Sequence, residues 1–149
     1  EMRTEIKWAI IATIVLFVWL LLEKLLGLHA PEKLATWMIV DFIASILIFI
    51  AIYYMTTRDK RDVELGGVMS WKQGFWAAAV MTLIFIPLSS LVVYIFIKFV
   101  SPELPGSLTS YAKSTKDAIS TFMSSHVTSS IVGGLLFSLI FPVFTKRAA

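Results

Sequence analysis

The sequence contains no cysteine among its 149 residues, which excludes disulfide bonds, thiolate metal ligands and thiol redox chemistry. Charged side chains are also scarce: they form 15% of the chain, against about 25% in a typical soluble domain. Apolar side chains form 58%, and the mean hydropathy is +0.83. This balance excludes a disordered tail and an ordinary water-soluble domain, and it predicts an integral membrane protein.

Known catalytic signatures are missing too. The chain has no GxSxG, no HExxH, no Walker loop and no dinucleotide-binding glycine pattern, so we expect no enzymatic activity. Its two histidines lack the HxxxH or HxxE spacing of a metal site, and we expect neither a metal nor another cofactor. The basic residues lie at the ends of apolar runs, which indicates contact with the lipid bilayer rather than with nucleic acid.

Four apolar runs approach or exceed the length of about 20 residues that a membrane-spanning helix needs. They cover residues 8–28, 34–55, 74–98 and 127–145. The first run is a retained helix rather than a signal peptide, since no A-x-A cleavage site follows it. The sequence therefore predicts an all-α fold, an integral membrane four-helix bundle that forms a single membrane domain over residues 1–149.

The connection between the third and fourth runs has its own pattern. Within residues 107–125 the apolar positions recur at helical spacing, with Ser, Lys and Asp on the opposite face. This pattern predicts an amphipathic segment between helices 3 and 4. It either lies flat in the membrane interface, extends the fourth helix outward or packs on the bundle as a short helix, and we favour the last two arrangements.

The distribution of basic residues predicts the orientation. With four spans, both termini and the 58–72 loop share one side, which holds eight Lys and Arg: Arg3, Lys7, Arg58, Lys60, Arg61, Lys72, Lys146 and Arg147. The other side holds five: Lys24, Lys33, Lys98, Lys113 and Lys116. The positive-inside rule therefore predicts that both termini are cytoplasmic.

Small residues recur every four positions in two of the runs. The series are Ser70, Gly74 and Ala78 in the third run, and Ser130, Gly134 and Ser138 in the fourth, where Ser125, Ser129 and Gly133 form an adjoining stripe. Such stripes let helix backbones approach closely. They predict a helix-packing seam, either inside the bundle, which we favour, or towards a second copy or another membrane subunit.

Asp41 interrupts the second run about two helical turns from its start. An acid at that depth costs at least about 2.5 kcal/mol unless it is paired, hydrated or neutralised. It is either a proton or cation site or an acid hydrated near the interface. The expected topology brings it to the same outer mouth as five other ionisable residues: Glu23, Lys24, His29, Lys98 and His126. These six form either one binding pocket or six independent helix ends.

Two motifs carry a resemblance to a known family. The pattern EK-x-x-G-x-H covers Glu23–His29, and W-K-Q-G-F covers Trp71–Phe75. With Glu5–Trp8 and Trp19, they resemble the small four-span membrane proteins of domain-of-unknown-function family 4199, common in Bacteroidetes. The resemblance implies a multi-pass protein of the bacterial inner membrane, and it implies no activity.

These observations favour a structural or accessory subunit of a larger membrane complex, because the chain is small and has little mass outside the spans. The alternative is a small oligomeric transporter or channel that uses Asp41 and the outer polar mouth. The proline inside the third run favours this alternative.

Overall fold

The computed structural model describes residues 2–106 and 115–148. These residues form four long helices, α1 (Thr4–Leu25), α2 (Leu34–Asp59), α3 (Trp71–Phe99) and α5 (Thr115–Thr145), and one short helix, α4 (Glu103–Gly106). Each long helix is long and apolar enough to cross a membrane. The predicted all-α membrane bundle is therefore confirmed.

The helices extend beyond several limits of the apolar runs. α1 begins at Thr4, α2 continues to Asp59, and α5 begins at Thr115, because polar side chains do not interrupt the backbone hydrogen bonds of a helix. Residues 115–125 of the predicted amphipathic segment are thus the first turns of α5, an outward extension of the fourth span. Residues 107–114 of that segment lie outside the described residues.

Two apolar clusters hold the helices together. α3 packs against α1 and α5, and α2 packs against the same two helices. One cluster fills the bundle around Ala9, Ala12, Ile52, Tyr53, Ala78, Met81 and Phe85. The second lies around Leu20, Leu28, Trp37, Val93, Phe96, Ile97 and Leu104. Fully buried rings such as Phe85 and Phe96 anchor both clusters.

The end of the bundle that carries the N-terminus, the α2–α3 connection and the C-terminal residues is called the terminal end. There the backbone N–H of Thr4 donates to Glu64 over 2.6 Å. Met69 and Arg147 exchange two backbone hydrogen bonds of 3.0 and 2.9 Å. These contacts place the first turn of α1, the loop before α3 and the residues after α5 side by side.

The opposite end carries the α1–α2 turn and the residues that follow α3, and it is called the turn end. Lys24 donates to the backbone carbonyl of Val100 and forms a 3.1 Å ion pair with Glu103. His29 contacts Ser101. The α1–α2 turn is therefore fastened to the start of the α3–α5 connection.

Candidate functional site

A buried glutamate lies in the last turn of α1. The side chain of Glu23 is 0% exposed. Its Oε2 accepts a 3.2 Å hydrogen bond from the indole N–H of Trp37 on α2 and lies 3.2 Å from Nε2 of His29. Its Oε1 is buried without a hydrogen-bond partner. Burying a carboxylate oxygen without a hydrogen-bond donor costs free energy. This atom is therefore a candidate for binding a proton or a ligand.

The turn after α1 brings His29 back to Glu23. Gly27 has a φ of +69°, a left-handed conformation that favours glycine, and it ends the helix. Nδ1 of His29 lies 2.7 Å from the hydroxyl of Ser101. One tautomer satisfies both ring contacts: Nε2–H donates to Glu23, and Nδ1 accepts from the Ser101 hydroxyl. The imidazole therefore bridges the end of α1 and the segment after α3.

Two indoles cross between α1 and α2. Trp19 on α1 donates to Oδ1 of Asp41 on α2 over 3.1 Å, whereas Trp37 on α2 donates to Glu23 on α1. In each helix the tryptophan precedes the acid by four residues, so the two share a helix face. Each indole thus donates a hydrogen bond to the carboxyl group of the other helix.

The two acids are also neighbours of each other. Trp19, one turn before Glu23, reaches Asp41, and Trp37, one turn before Asp41, reaches Glu23, so the two carboxyl groups lie next to each other. Asp41 Oδ1 further accepts from the Ser45 hydroxyl over 3.4 Å. Both acids belong to helices long and apolar enough to span a membrane. Glu23 and Asp41 are called the carboxyl pair from here on.

Of the six residues predicted to share a polar mouth, the structure joins Glu23, His29 and Asp41. Lys24 follows Glu23 but turns to the Val100 carbonyl and to Glu103.

The remaining two members have other partners. The ammonium of Lys98 lies 5.6 Å from the centre of the Tyr94 ring, and His126 lies 2.9 Å from the Ser89 hydroxyl. Among the described residues, neither has a hydrogen bond or ion pair to the carboxyl pair or His29. The topology places all six residues at one end of the bundle, but their side chains point to different partners and do not form one site.

Glu103 is charged at neutral pH and holds the turn end together. Burial by itself would raise its pKa, but hydrogen bonds from its own backbone N–H and from Lys24 hold the pKa of Glu103 below its ordinary range. The Lys24–Glu103 pair is partly exposed, so it adds modestly to stability. Its structural consequence is that Lys24 points away from the carboxyl pair.

The described part of the chain contains no group of three or more His, Asp or Glu side chains that could hold a metal ion. The groups that surround the carboxyl pair are mainly donors, namely two indole N–H groups, a hydroxyl and an imidazole. All of these groups can stabilise negative charge, and the two indole N–H groups can only donate.

The small-residue seam lies mostly inside the bundle. A Cβ atom on Gly74 would lie 2.9 Å from Cβ of Pro142 on α5, and one on Gly134 would overlap Thr82 on α3. Ala78 and Ser138 are 0% exposed.

The first residue of each series differs from the rest. Ser70 is exposed and caps α3, and Ser130 is half-buried. The core of the predicted seam thus serves contact between α3 and α5, the arrangement that the sequence favoured.

A second face of α5 is rich in hydroxyl groups, and none of residues 2–106 covers it. Its exposed residues are Ser120, Thr121, Ser124, Ser125, Thr128 and Ser129. A Cβ atom on Gly133, at the end of this face, would meet nothing within 4 Å. Ser125 and Ser129 of the stripe adjoining the internal seam are therefore exposed, whereas Gly133 is half-buried beside a small cavity lined by Tyr53 and Phe85.

Sequence reasoning missed the donors of the carboxyl pair. The sequence patterns assigned no hydrogen-bonding role to Trp19, Trp37 or Ser101. A usable signal was present, since both Trp19–Glu23 and Trp37–Asp41 are separated by four residues. A buried indole N–H needs an acceptor, and an acid on the same helix face is a candidate for one.

The fold and this buried cluster define a four-helix membrane protein with paired acids at one end. Residues 7–147 match the model of a family described as "Protein of unknown function (DUF4199)". The chain belongs to this family, as the motifs at Glu23–His29 and Trp71–Phe75 suggested. No curated protein and no solved structure matches the chain.

Proposed function

We propose that this membrane protein binds a proton or a small monovalent cation at the carboxyl pair and acts as a small transporter. The observation that carries the proposal is the pairing of two carboxyl groups by crossed indole hydrogen bonds between neighbouring spans, one of them fully buried with an oxygen that lacks a donor. Ionisable residues inside spans are expensive and typically mark ion or proton pathways. The proposal concerns binding and passage and includes no catalytic step.

A feature of α3 supports movement during such a cycle. Pro87 lies inside this helix and cannot donate a backbone hydrogen bond to the carbonyl of Leu83, one turn earlier. Helices interrupted in this way serve as hinges in membrane proteins when their neighbours compensate for the lost bond.

The test is flux into vesicles that contain the purified protein. Imposed gradients of protons, Na⁺ and K⁺ are applied in turn, with empty vesicles as the baseline. We expect one of these ions to cross at least about tenfold faster than in empty vesicles, and Asp41→Asn and Glu23→Gln to abolish the increase.

Glu32→Gln is the matched control, because Glu32 is an exposed acid at the same end of the bundle. It should retain the wild-type flux. Wild-type vesicles that conduct no more than empty ones, or unchanged flux in both carboxyl-pair variants, would refute the proposal.

The uncovered face of α5 favours a second role, as a subunit of a larger membrane complex or of a homo-oligomer. Small and hydroxyl-bearing residues at four-residue spacing favour helix association in membranes. Ser125 and Ser129 are exposed here, and a Cβ atom on Gly133 would meet nothing within 4 Å. Mass spectrometry of the protein in native lipid particles should then detect a stoichiometric partner or a second copy.

The double variant Ser125→Leu, Ser129→Leu should release that partner, whereas Ala51→Leu should not, because it enlarges an exposed small residue on α2. A wild-type protein that is purely monomeric, or a partner retained by the double variant, would count against this role.

We infer that the terminal end faces the cytoplasm of a bacterial cell and that the protein lies in the inner membrane. The support is the excess of basic residues at that end, where the N-terminus, the α2–α3 connection and Arg147 are in contact. The turn end and the carboxyl pair would then lie near the periplasmic face.

A further inference from the structure

We propose that Glu23 and Asp41 share a single proton, held between their carboxyl groups at neutral pH. This inference rests on the proposed function and names its occupant: the site takes a proton rather than Na⁺ or K⁺.

The first argument concerns charge. Two ionised carboxylates in contact inside an apolar span repel each other, and little water is present to screen them. Lys24 and Lys98 provide no relief, since Lys24 is bound to Val100 and Glu103 and Lys98 lies beside Tyr94. One bound proton removes one of the two charges and converts the repulsion into a hydrogen bond.

An independent argument comes from the count of donors. Glu23 Oε2 has two hydrogen-bond partners, Trp37 and His29. Asp41 Oδ1 also has two, Trp19 and Ser45. Glu23 Oε1 is buried and has no donor among these groups. A proton on the Asp41 carboxyl supplies the missing donor, and a proton on Glu23 Oε1 makes that atom a donor to Asp41.

The same donors favour a proton over a metal cation. A bound Na⁺ or K⁺ needs several oxygen ligands, but the neighbours of the pair include the N–H groups of Trp19 and Trp37, which point at the carboxylates. Crossed indoles of this kind stabilise the single negative charge that remains when one proton is shared.

In the part of the chain that the structure describes, His29 is the other titratable group that contacts the pair. An imidazolium there would give the cluster the same net charge as a shared proton, but it would leave Glu23 Oε1 without a donor. The neutral tautomer already satisfies Glu23 Oε2 and Ser101. A proton between the carboxyl groups therefore accounts for every contact, and a proton on the ring does not.

Infrared spectroscopy of the protein in lipid at neutral pH tests the inference without any ion gradient. A protonated carboxyl group gives a C=O band that a carboxylate lacks. We expect such a band in the wild type, its loss in both Asp41→Asn and Glu23→Gln, and its retention in Glu32→Gln. Replacing Na⁺ by K⁺ should leave the band unchanged.

A second measurement uses the unaltered chain, so it does not depend on the folding of a variant. Isotopic labelling of aspartate carboxyl carbons should shift part of the band, because the proton spends part of its time on Asp41. No band in the wild type, a band that only one of the two substitutions removes, or a band displaced by Na⁺ would overturn the shared proton.

The two proposals fail separately. A wild-type band without ion flux would refute transport and leave the shared proton in place. Proton or cation flux without the band would refute the shared proton and leave transport in place.

Discussion

At the scale of single residues, the unusual feature is the exchange of donors between α1 and α2. Each helix carries an acid and, one turn earlier, a tryptophan. Each tryptophan donates a hydrogen bond to the acid of the opposite helix. Such reciprocal bonds fix the relative rotation of the two helices, because turning either one would break both contacts.

The Trp37 indole can be tested on its own. Trp37→Phe keeps a ring that stacks on Phe122 at a centroid distance of 6.3 Å but removes the N–H that reaches Glu23. We expect unfolding in detergent to become easier by about 1–3 kcal/mol, since a buried acceptor loses its donor.

Trp76→Phe is the control for this substitution, because Trp76 is 55% exposed. Thermal unfolding followed by circular dichroism should show little change there. Equal losses of stability in both variants would mean that ring size, not the hydrogen bond, decides the effect.

At the scale of elements, two adjacent glycines on α5 have opposite surroundings. Gly134→Ala places a methyl group against Thr82 and the Tyr53 hydroxyl, and we expect a loss of about 1–3 kcal/mol from overpacking. Gly133→Ala meets open space, so stability should hold or rise by up to about 1 kcal/mol from helix propensity.

The pair of alanine variants is compared by unfolding in detergent, and each is also examined for its oligomeric state. A larger loss in Gly133→Ala than in Gly134→Ala would contradict the packing of α5 described here. A changed oligomeric state in Gly133→Ala alone would instead support a contact between copies along the uncovered face.

The start of α3 depends on a capping box. The Ser70 hydroxyl accepts from the Gln73 backbone N–H over 3.2 Å, and the Gln73 side chain accepts from the Ser70 N–H over 2.9 Å. We expect Ser70→Ala to lower the unfolding free energy by about 1 kcal/mol.

Ser70→Asp is the matched control, because aspartate also accepts at a helix N-cap and suits the positive end of the helix dipole. It should keep most of the stability in the same unfolding assay. A loss as large as that of alanine would show that the cap hydrogen bond is not what stabilises the start of α3.

At the scale of the whole molecule, the two ends of the bundle differ in chemistry. The terminal end is fastened by ion pairs such as Lys7–Asp59 at 2.6 Å and Lys60–Glu5 at 2.9 Å. The turn end holds the carboxyl pair and its donors. The protein therefore has a basic end that is held by ion pairs and, near the opposite end, a buried acidic site.

The proposed orientation is open to a direct test, since the chain has no native cysteine to interfere. Val63→Cys places one thiol in an exposed position of the terminal end, and Glu32→Cys places one at the turn end. In spheroplasts, an impermeant thiol reagent should label Glu32→Cys at once and Val63→Cys only after permeabilisation. The reverse pattern would invert the topology.

Much of the architecture follows from local sequence patterns. Apolar runs of sufficient length predict spans, and Gly27 predicts the end of α1, because both effects act within a few residues of chain. The predicted limits of the helices were less accurate. Thr4 and Thr115 are polar, so the apolar runs are shorter than the hydrogen-bonded helices that contain them.

The site was predictable only in part. Sequence position indicated that Asp41, Glu23 and His29 lie near one end, because antiparallel spans leave few choices. It did not separate them from His126 and Lys98, which the expected topology places at the same end but which contact other residues, Ser89 and Tyr94.

The amino-acid sequence by itself determined that this is a four-span membrane protein with acids inside its spans, because hydropathy and charge act along the chain. Tertiary structure alone decided which acids meet. The contact of Glu23 with Asp41 and the crossing of Trp19 and Trp37 depend on how α1 and α2 are rotated and shifted against each other. That geometry results from packing across the whole bundle, which no local pattern records.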